Sequence, residues 1–339
     1  MSLSTSHSKL GDGRFLFLAG LCALVGLAAA AWYSVQFNPE IHFYDAFLKD
    51  KLRYAQELDR NYPSKIVISG GSSTAFAIQP KRLLDEYGMP AVNMGLQAGL
   101  GPDVIAALGV EAAKPGDTFV LAIEPDLLGT DGEHVWGPQF CAATGRWDAV
   151  NRFKEKPINK VWLPTYLRPG GQHLLVLMAK IAVGRPLFRY SLDDVHEGGW
   201  QTTSFVGVKA ESTSRPAPDR LTERSRGLLD RIRKYTEERN IRVFYSVPWK
   251  YVPSEAAETE RSRMASFLSD VAKHMDVLPD SDFGVRTEAD EFADVVYHTN
   301  AAGAVLRTDA LAQALRAAET HEGRININAG PAASVLARH

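Results

Sequence analysis

A serine, a histidine and an aspartate are the residues of this chain whose types and spacing suit acyl-transfer chemistry. Ser72 lies in Lys65-Ile-Val-Ile-Ser-Gly-Gly-Ser-Ser-Thr-Ala-Phe-Ala-Ile78. A β-branched run stops at two glycines, serines follow, and a helix-like segment begins. Such a turn exposes a hydroxyl at a strand end, beside the free N–H groups of a helix start. A serine alone is a weak nucleophile and needs a base. Asp294-Val-Val-Tyr-His298 supplies one. His298 would take the Ser72 proton, and Asp294 would orient the imidazole. The oxyanion needs backbone N–H donors. Ser72 itself and the glycines of Asn93-Met-Gly-Leu-Gln-Ala-Gly99 are the candidates, since glycine lets backbone approach substrate closely.

These groups must be positioned by a chain of 339 residues with 45% hydrophobic and 23% charged side chains. A formal net charge of −2 gives no basic footprint for nucleic acid. Phe15 to Val35 runs without a charge, and as a helix it would be about 30 Å long, enough to cross a bilayer core. Lys9 and Arg14 precede it, which places residues 1–14 in the cytoplasm and the main domain on the far side of the membrane. The competing expectations are a signal peptide cleaved near Ala28 to Ala31, and a buried helix of a soluble domain. Cys22 and Cys141 are the two cysteines, one inside the apolar run, so the exported domain can form no internal disulfide. No Cys/His spacing suggests a metal, and the chemistry requires no cofactor.

Past the anchor, assigned to 15–36, a connecting segment at 37–62 holds an amphipathic helix over 38–60 with Tyr44, Phe47, Leu48, Leu52 and Ala55 on one side. Short apolar runs then alternate with helical segments. Strands are expected at 66–69, 91–94, 118–123 and 241–247, and a short one at 276–278. Helices are expected at 79–87, 102–113, 219–239, 254–274 and 300–318. This alternation implies an α/β fold, a mostly parallel sheet covered on both faces. Ser72 and the Asn93–Gly101 loop then fall at the carboxyl ends of strands, where such folds gather their functional groups. The irregular stretch 129–217 reads as an insertion or cap within a 63–322 domain, with a helix near 172–184 and a loop at 212–218. The tail 323–339 is expected to be flexible.

At these residues the chain resembles the SGNH/GDSL hydrolase superfamily. Gly70-Gly71-Ser72-Ser73-Thr74 is similar to that family's first block, with Gly71 where the family has Asp. Asn93 to Gly99 resembles the second block, whose glycine lends an oxyanion N–H; the resemblance gives that role to Gly99, with Gly95 next and Asn93 as a further donor. Asp294, His298, Asn300, Gly303, Arg307 and Thr308 resemble the closing block, with one extra residue between acid and base. The resemblance covers 64–128 and 240–318. It implies a three-layer α/β/α sandwich. It also implies an exported, membrane-anchored O-acyltransferase or esterase acting on a cell-surface glycan, resembling members that work beside a membrane-bound O-acyltransferase in exopolysaccharide O-acetylation or teichoic acid D-alanylation. One departure stands out. The third block carries an oxyanion Asn, and this chain reads Ile123-Glu124-Pro125-Asp126 there. That departure supports the alternative, an SGNH-fold protein of weak or no activity that binds a glycan or an acyltransferase partner.

Several residues admit two readings. Ser72 also suits a helix cap, and Ser73 is the alternative nucleophile. Asp290 or Glu291 stand close enough in sequence to replace Asp294. Glu124 reads as structural, paired with a cap residue, or as a general base. Trp136, Trp147, Trp162 and Trp200 suit either burial in a cap core or stacking on sugar rings.

Overall fold

A computed structural model provides the structure, which describes residues 9–36, 38–132, 134, 136–155, 178–185, 187–203 and 216–320. The tail at 323–339, residues 1–8, the first part (172–177) of the helix expected near 172–184, much of the 212–218 loop and Trp162 lie outside the described residues.

The chain begins with a long helix α1 (Lys9–Gln36). Its segment Gly13–Tyr33 has a mean hydropathy of 2.2 and is long and apolar enough to cross a membrane. Residues 13–29 are exposed, Phe15 at 70% and Leu24 at 68%, while Tyr33 near its end is buried. A helix apolar all round and left unburied matches a hydrocarbon surrounding rather than water. Asn38 starts the next helix, α2 (Pro39–Asn61), by accepting the Glu40 N–H at 3.0 Å, and Pro39 occupies the first helical position. The helix is no free linker. Phe43, Tyr44, Phe47, Leu48, Ala55 and Leu58 line one face of the main core. Lys51 on that face is also buried, its ammonium donating to the Gly95 carbonyl.

The central sheet is parallel, in the order β2-β1-β3-β4: β1 (Ile66–Gly70), β2 (Ala91–Asn93), β3 (Thr118–Ala122) and β4 (Arg242–Tyr245). A parallel bridge from Tyr245 to Val277 extends it past β4, where the short strand at 276–278 was expected. Register follows from β1–β3 pairing of Ile66 with Thr118 through Gly70 with Ala122. Alternation then sorts the strand side chains. Val67, Phe119 and Leu121 enter the larger core, while Ile68, Val120 and Ala122 enter a smaller one.

Helices cover both faces. α3 (Ser72–Ala77) follows β1 directly. α4 (Pro80–Tyr87) ends at Gly88, whose φ of 66° is the left-handed cap that glycine provides. α5 (Pro102–Val110) is buried along its entire length. Its close approach to β1 requires Gly109, where a Cβ would stand 2.1 Å from Ser69 Oγ. Beyond β3 come α6 (Pro125–Leu128), α7 (Trp136–Ala143) and α8 (Trp147–Arg152). The last two lie in the stretch expected to be irregular, and Phe140, Cys141, Val150 and Phe153 there join the larger core. α9 (Glu223–Glu237), α10 (Ser254–Val271) and α11 (Ala301–Thr320) complete the order. Leu311 and Leu315 of α11 and Leu83 of α4 close the smaller core. A second small parallel pair, β5 (Lys250–Tyr251) with β6 (Val285–Arg286), was not foreseen, because runs this short carry no periodicity.

Candidate active site

Ser72 is the first residue of α3, and it sits where β1 ends, beside the carboxyl end of β3. The chain passes from β1 outward to β2 and then crosses to β3 on the other side of β1, so the β1 and β3 ends form the switch point at which open parallel sheets bind ligands. The glycines before it are forced. A Cβ on Gly70 would lie 2.0 Å from Thr74 Oγ1 and 2.1 Å from the Ala122 carbonyl oxygen. Thr74 Oγ1 donates to that carbonyl at 2.9 Å and pins the start of α3 to β3.

The two serines are placed differently. Ser72 is partly exposed, and no hydrogen bond engages its hydroxyl among the described residues. Ser73 is 2% exposed and its N–H donates to Glu124 Oε1 at 3.1 Å. Its hydroxyl lies beside the same carboxyl without an aligned partner. Access favours Ser72 as the nucleophile.

Asp294 and His298 meet as the sequence spacing suggested. Asp294 Oδ1 lies 2.7 Å from His298 Nδ1, with side chains 5% and 8% exposed. A tight loop makes the contact: His298 N–H donates to Val295 O at 3.1 Å, Ala293 N–H to His298 O at 2.7 Å, and Phe292 pairs with Thr299. The intervening residues are therefore a turn, which accommodates the longer acid–base spacing. With Nδ1 facing Asp294, the ring lone pair for base chemistry falls on Nε2. Arg189 reaches the other Asp294 oxygen as an ion pair at 2.6 Å. Burial works against ionisation of Asp294, but the His298 hydrogen bond and the charges of His298 and Arg189 outweigh it and hold the carboxyl below its usual range.

The imidazole is set against α3. Its ring stacks on Phe76 with centroids 4.2 Å apart and planes 23° apart, and Thr299 Oγ1 donates to Phe76 O at 3.2 Å. Phe76 is four residues after Ser72, so the two share a face of α3, one turn of about 5.4 Å apart. Side chains on a helix lean toward its N-terminus, which is where Ser72 stands.

The expected oxyanion donors fare unequally. Asn93 Nδ2 donates to Thr74 O at 2.8 Å and Ile78 O at 2.8 Å, so its amide staples α3 to β2 and is not free for a ligand. Gly95 N–H donates to Asn93 Oδ1 at 2.9 Å, and a Cβ there would meet Ala75 N at 2.3 Å. Gly95 is thus a packing glycine. Both groups are engaged for the same reason: the β2–α5 loop is folded against α3 and its polar groups bond there. Gly99 is exposed in the one-turn 3-10 helix Ala98–Leu100. The candidate donors left unengaged among the described residues are the backbone N–H groups of Ser72 and Gly99.

Other expected alternatives are placed elsewhere. Glu291 pairs with Arg286 at 3.0 Å, and Asp290 is exposed. Glu124 has no cap cation as partner among the described residues; it lies under the Gly71–Ser73 turn instead. Asn300 and Gly303 shape the start of α11: Gly303 N–H donates to Asn300 Oδ1 at 3.0 Å. Arg307 is buried and donates to Ser246 Oγ at 2.6 Å, and Thr308 Oγ1 accepts the Gln79 N–H at 3.0 Å. Trp136 and Trp147 pack against the main core, while Trp200 donates its indole N–H to Phe76 O at 2.9 Å. Among the described residues no cluster of His, Cys, Asp and Glu could hold a metal.

Sequence reasoning missed Phe76 and Arg189. The i,i+4 offset from Ser72 is the signal that would have found Phe76. Arg189 sits in the irregular stretch with no local pattern to mark it. That stretch reaches the site at several points, since Gln201 N–H also donates to Ala75 O at 2.9 Å. Next to it opens a cleft of about 800 Å³ between the start of α2 and residues 188–192, walled by Phe43, Phe188 and Tyr190. Tyr190 lies 5.6 Å from Phe76. No protein-family model, curated protein or solved structure matches this chain.

Proposed function

We propose that this chain is a membrane-anchored serine acyl-ester enzyme of the SGNH type, an O-acyltransferase or esterase for a cell-surface or extracellular glycan. The observation that carries the reading is the stacking of a buried Asp294–His298 pair on Phe76, one helical turn from Ser72 on the same face of α3. Ser72 Oγ attacks the acyl carbon of an ester donor while His298 Nε2 takes its proton. The tetrahedral intermediate then expels the donor alkoxide, which receives that proton. A glycan hydroxyl or water, deprotonated by His298, attacks the acyl-enzyme and restores Ser72. The aromatic walls of the cleft beside Tyr190 suit the flat faces of a sugar ring. With α1 in the membrane and Lys9 and Arg14 on the cytoplasmic side, the domain would work outside the cytoplasm, beside a membrane-bound O-acyltransferase that supplies acyl groups.

A second reading, a non-catalytic glycan- or acyltransferase-binding protein, is favoured by the engagement of Asn93 and Gly95 within the fold. A fluorophosphonate probe separates the two. The serine-enzyme reading expects labelling of the full chain in membranes or detergent, retained in Ser73→Ala and abolished in Ser72→Ala and His298→Ala. No labelling of the wild type, together with retained pull-down on an acylated polysaccharide, establishes the binding protein instead.

A further inference from the structure

Glu124 is the buried charged residue nearest the serine turn, and the scheme above does not use it. It follows β3 as Ser72 follows β1, so the two adjacent strand ends bring them together. Glu124 is 4% exposed. Both of its carboxyl oxygens lie where a Cβ on Gly71 would be 2.3 Å away, and Oε1 accepts the Ser73 N–H. The carboxyl therefore spans the backbone on either side of Ser72. Oε2 has no hydrogen-bond partner, and no Lys or Arg forms an ion pair with Glu124 among the described residues. A buried carboxylate without a cation is expensive, whereas the neutral acid is not. Burial accordingly pushes this carboxyl up, against the lowering effects of the adjacent Ser73 hydroxyl and N–H, its own backbone N–H and the His298 charge.

We infer that Glu124 is held as a neutral carboxylic acid whose O–H donates to the oxyanion formed at Ser72, supplying the donor that the engaged Asn93 amide and Gly95 N–H do not. This rests on the serine-enzyme reading. A carboxylic acid kept neutral by its surroundings can donate to an oxyanion at neutral pH. No proton changes hands at Glu124. Electrons of the carbonyl π bond move to oxygen as the Ser72 bond forms, the Ser72 proton goes to His298, and the Glu124 O–H only shortens its hydrogen bond. A role as general base would need the opposite state, an ionised Glu124, and the two are separable.

The test is the second-order rate of fluorophosphonate labelling of the full chain against pH, for wild type, Glu124→Gln and Glu124→Ala, each checked for folding by thermal melt. Phosphonylation forms the Oγ–P bond, releases fluoride and loads negative charge on the phosphonyl oxygen, so it reports the oxyanion site. Glutamine keeps an N–H donor of similar shape and should label within about tenfold of wild type. Alanine removes the donor and should slow labelling by about two to three decades. In the wild type the rate should fall on the alkaline side as Glu124 ionises, and in Glu124→Gln that fall should vanish. The other titratable groups facing Glu124 are His298, Tyr245 and Tyr297. Burial holds both tyrosines well above 10, so neither supplies the alkaline fall. A Glu124→Gln protein as slow as Glu124→Ala overturns the inference in favour of a carboxylate role. A folded Glu124→Ala protein that labels at the wild-type rate overturns it in favour of a purely structural one; both results leave the serine reading standing. Wild type that does not label at all overturns the serine reading and this inference together.

Discussion

Replacing Asp294 with asparagine tests whether the His298 pair acts electrostatically, as its burial implies. The change keeps shape and removes charge. The Nδ1–Oδ1 contact of 2.7 Å puts the side chains in direct hydrogen bond. The centres of the carboxylate and imidazolium charges are then about 4 Å apart, worth about 4 kcal/mol at an effective dielectric constant of ~20. On the proposed scheme, proton transfer from Ser72 places positive charge on His298 in the transition state, so this attraction is felt there. At about 1.4 kcal/mol per decade, Asp294→Asn should lower kcat/KM by roughly three decades. Arg189 would be left facing the imidazolium, though its side chain is 45% exposed and solvent screens that repulsion. The assay is hydrolysis of a p-nitrophenyl acyl ester at neutral pH by the full chain in detergent. Asp290→Asn serves as control, since Asp290 is exposed and its side chain makes no contact with His298. KM should change little, because the ground-state contacts are kept. An Asp294→Asn protein within about tenfold of wild type, with His298→Ala at background, would refute the electrostatic coupling derived from this geometry.

Two further outcomes follow from buried titratable groups. Cys141 is fully buried, and burial pushes its thiol up to about 12; it should resist alkylation by iodoacetamide at neutral pH until denaturant is added, and rapid native-state labelling by mass spectrometry would contradict its packing. Asp103 is 5% exposed and, despite burial, the charges and hydrogen bonds of Lys154 and Arg224 hold its carboxyl below its usual range. A depressed folded pKa stabilises above the unfolded value of about 3.9 and is lost as pH falls through the lower folded value. Asp103→Asn should therefore lower the denaturant midpoint at neutral pH and flatten its decline below about pH 4, and an unchanged decline would remove Asp103 from the acid response.

Much of the fold was legible because parallel strands buried on both faces write continuous apolar runs. The strands at 66–70 and 118–122 stand within a residue or so of where their runs lie. Helix ends were legible where caps are local, as at Pro80 and Gly88. α9 begins at Glu223 rather than 219, because Thr222 caps it by accepting the Ser225 N–H, and a charged surface run does not mark that start. α7 and α8 escaped notice because they are short and their apolar faces find partners on α5 and α2, far away in sequence.

At the site the division is sharper. Sequence alone determined that Ser72 opens a helix at a strand end, because Gly-Gly-Ser after a β-branched run is a local steric instruction. It offered Asp294 as the partner of His298, with Asp290 and Glu291 as alternatives that only the folded loop separated. It determined an N-terminal helix long and apolar enough for a membrane. Only the tertiary structure decided where the histidine ring rests, which is on Phe76, and that Arg189 from the irregular stretch reaches Asp294. It also bound the Asn93 amide and the Gly95 N–H within the fold, and placed Glu124 beneath the serine turn. The physical reason is common to all of these. A hydrogen-bonding group's role depends on which partner packing brings to it, and those partners come from other elements, 19 residues away for Asn93 and Thr74, 51 for Glu124 and Ser73, and more than a hundred for Arg189 and Asp294.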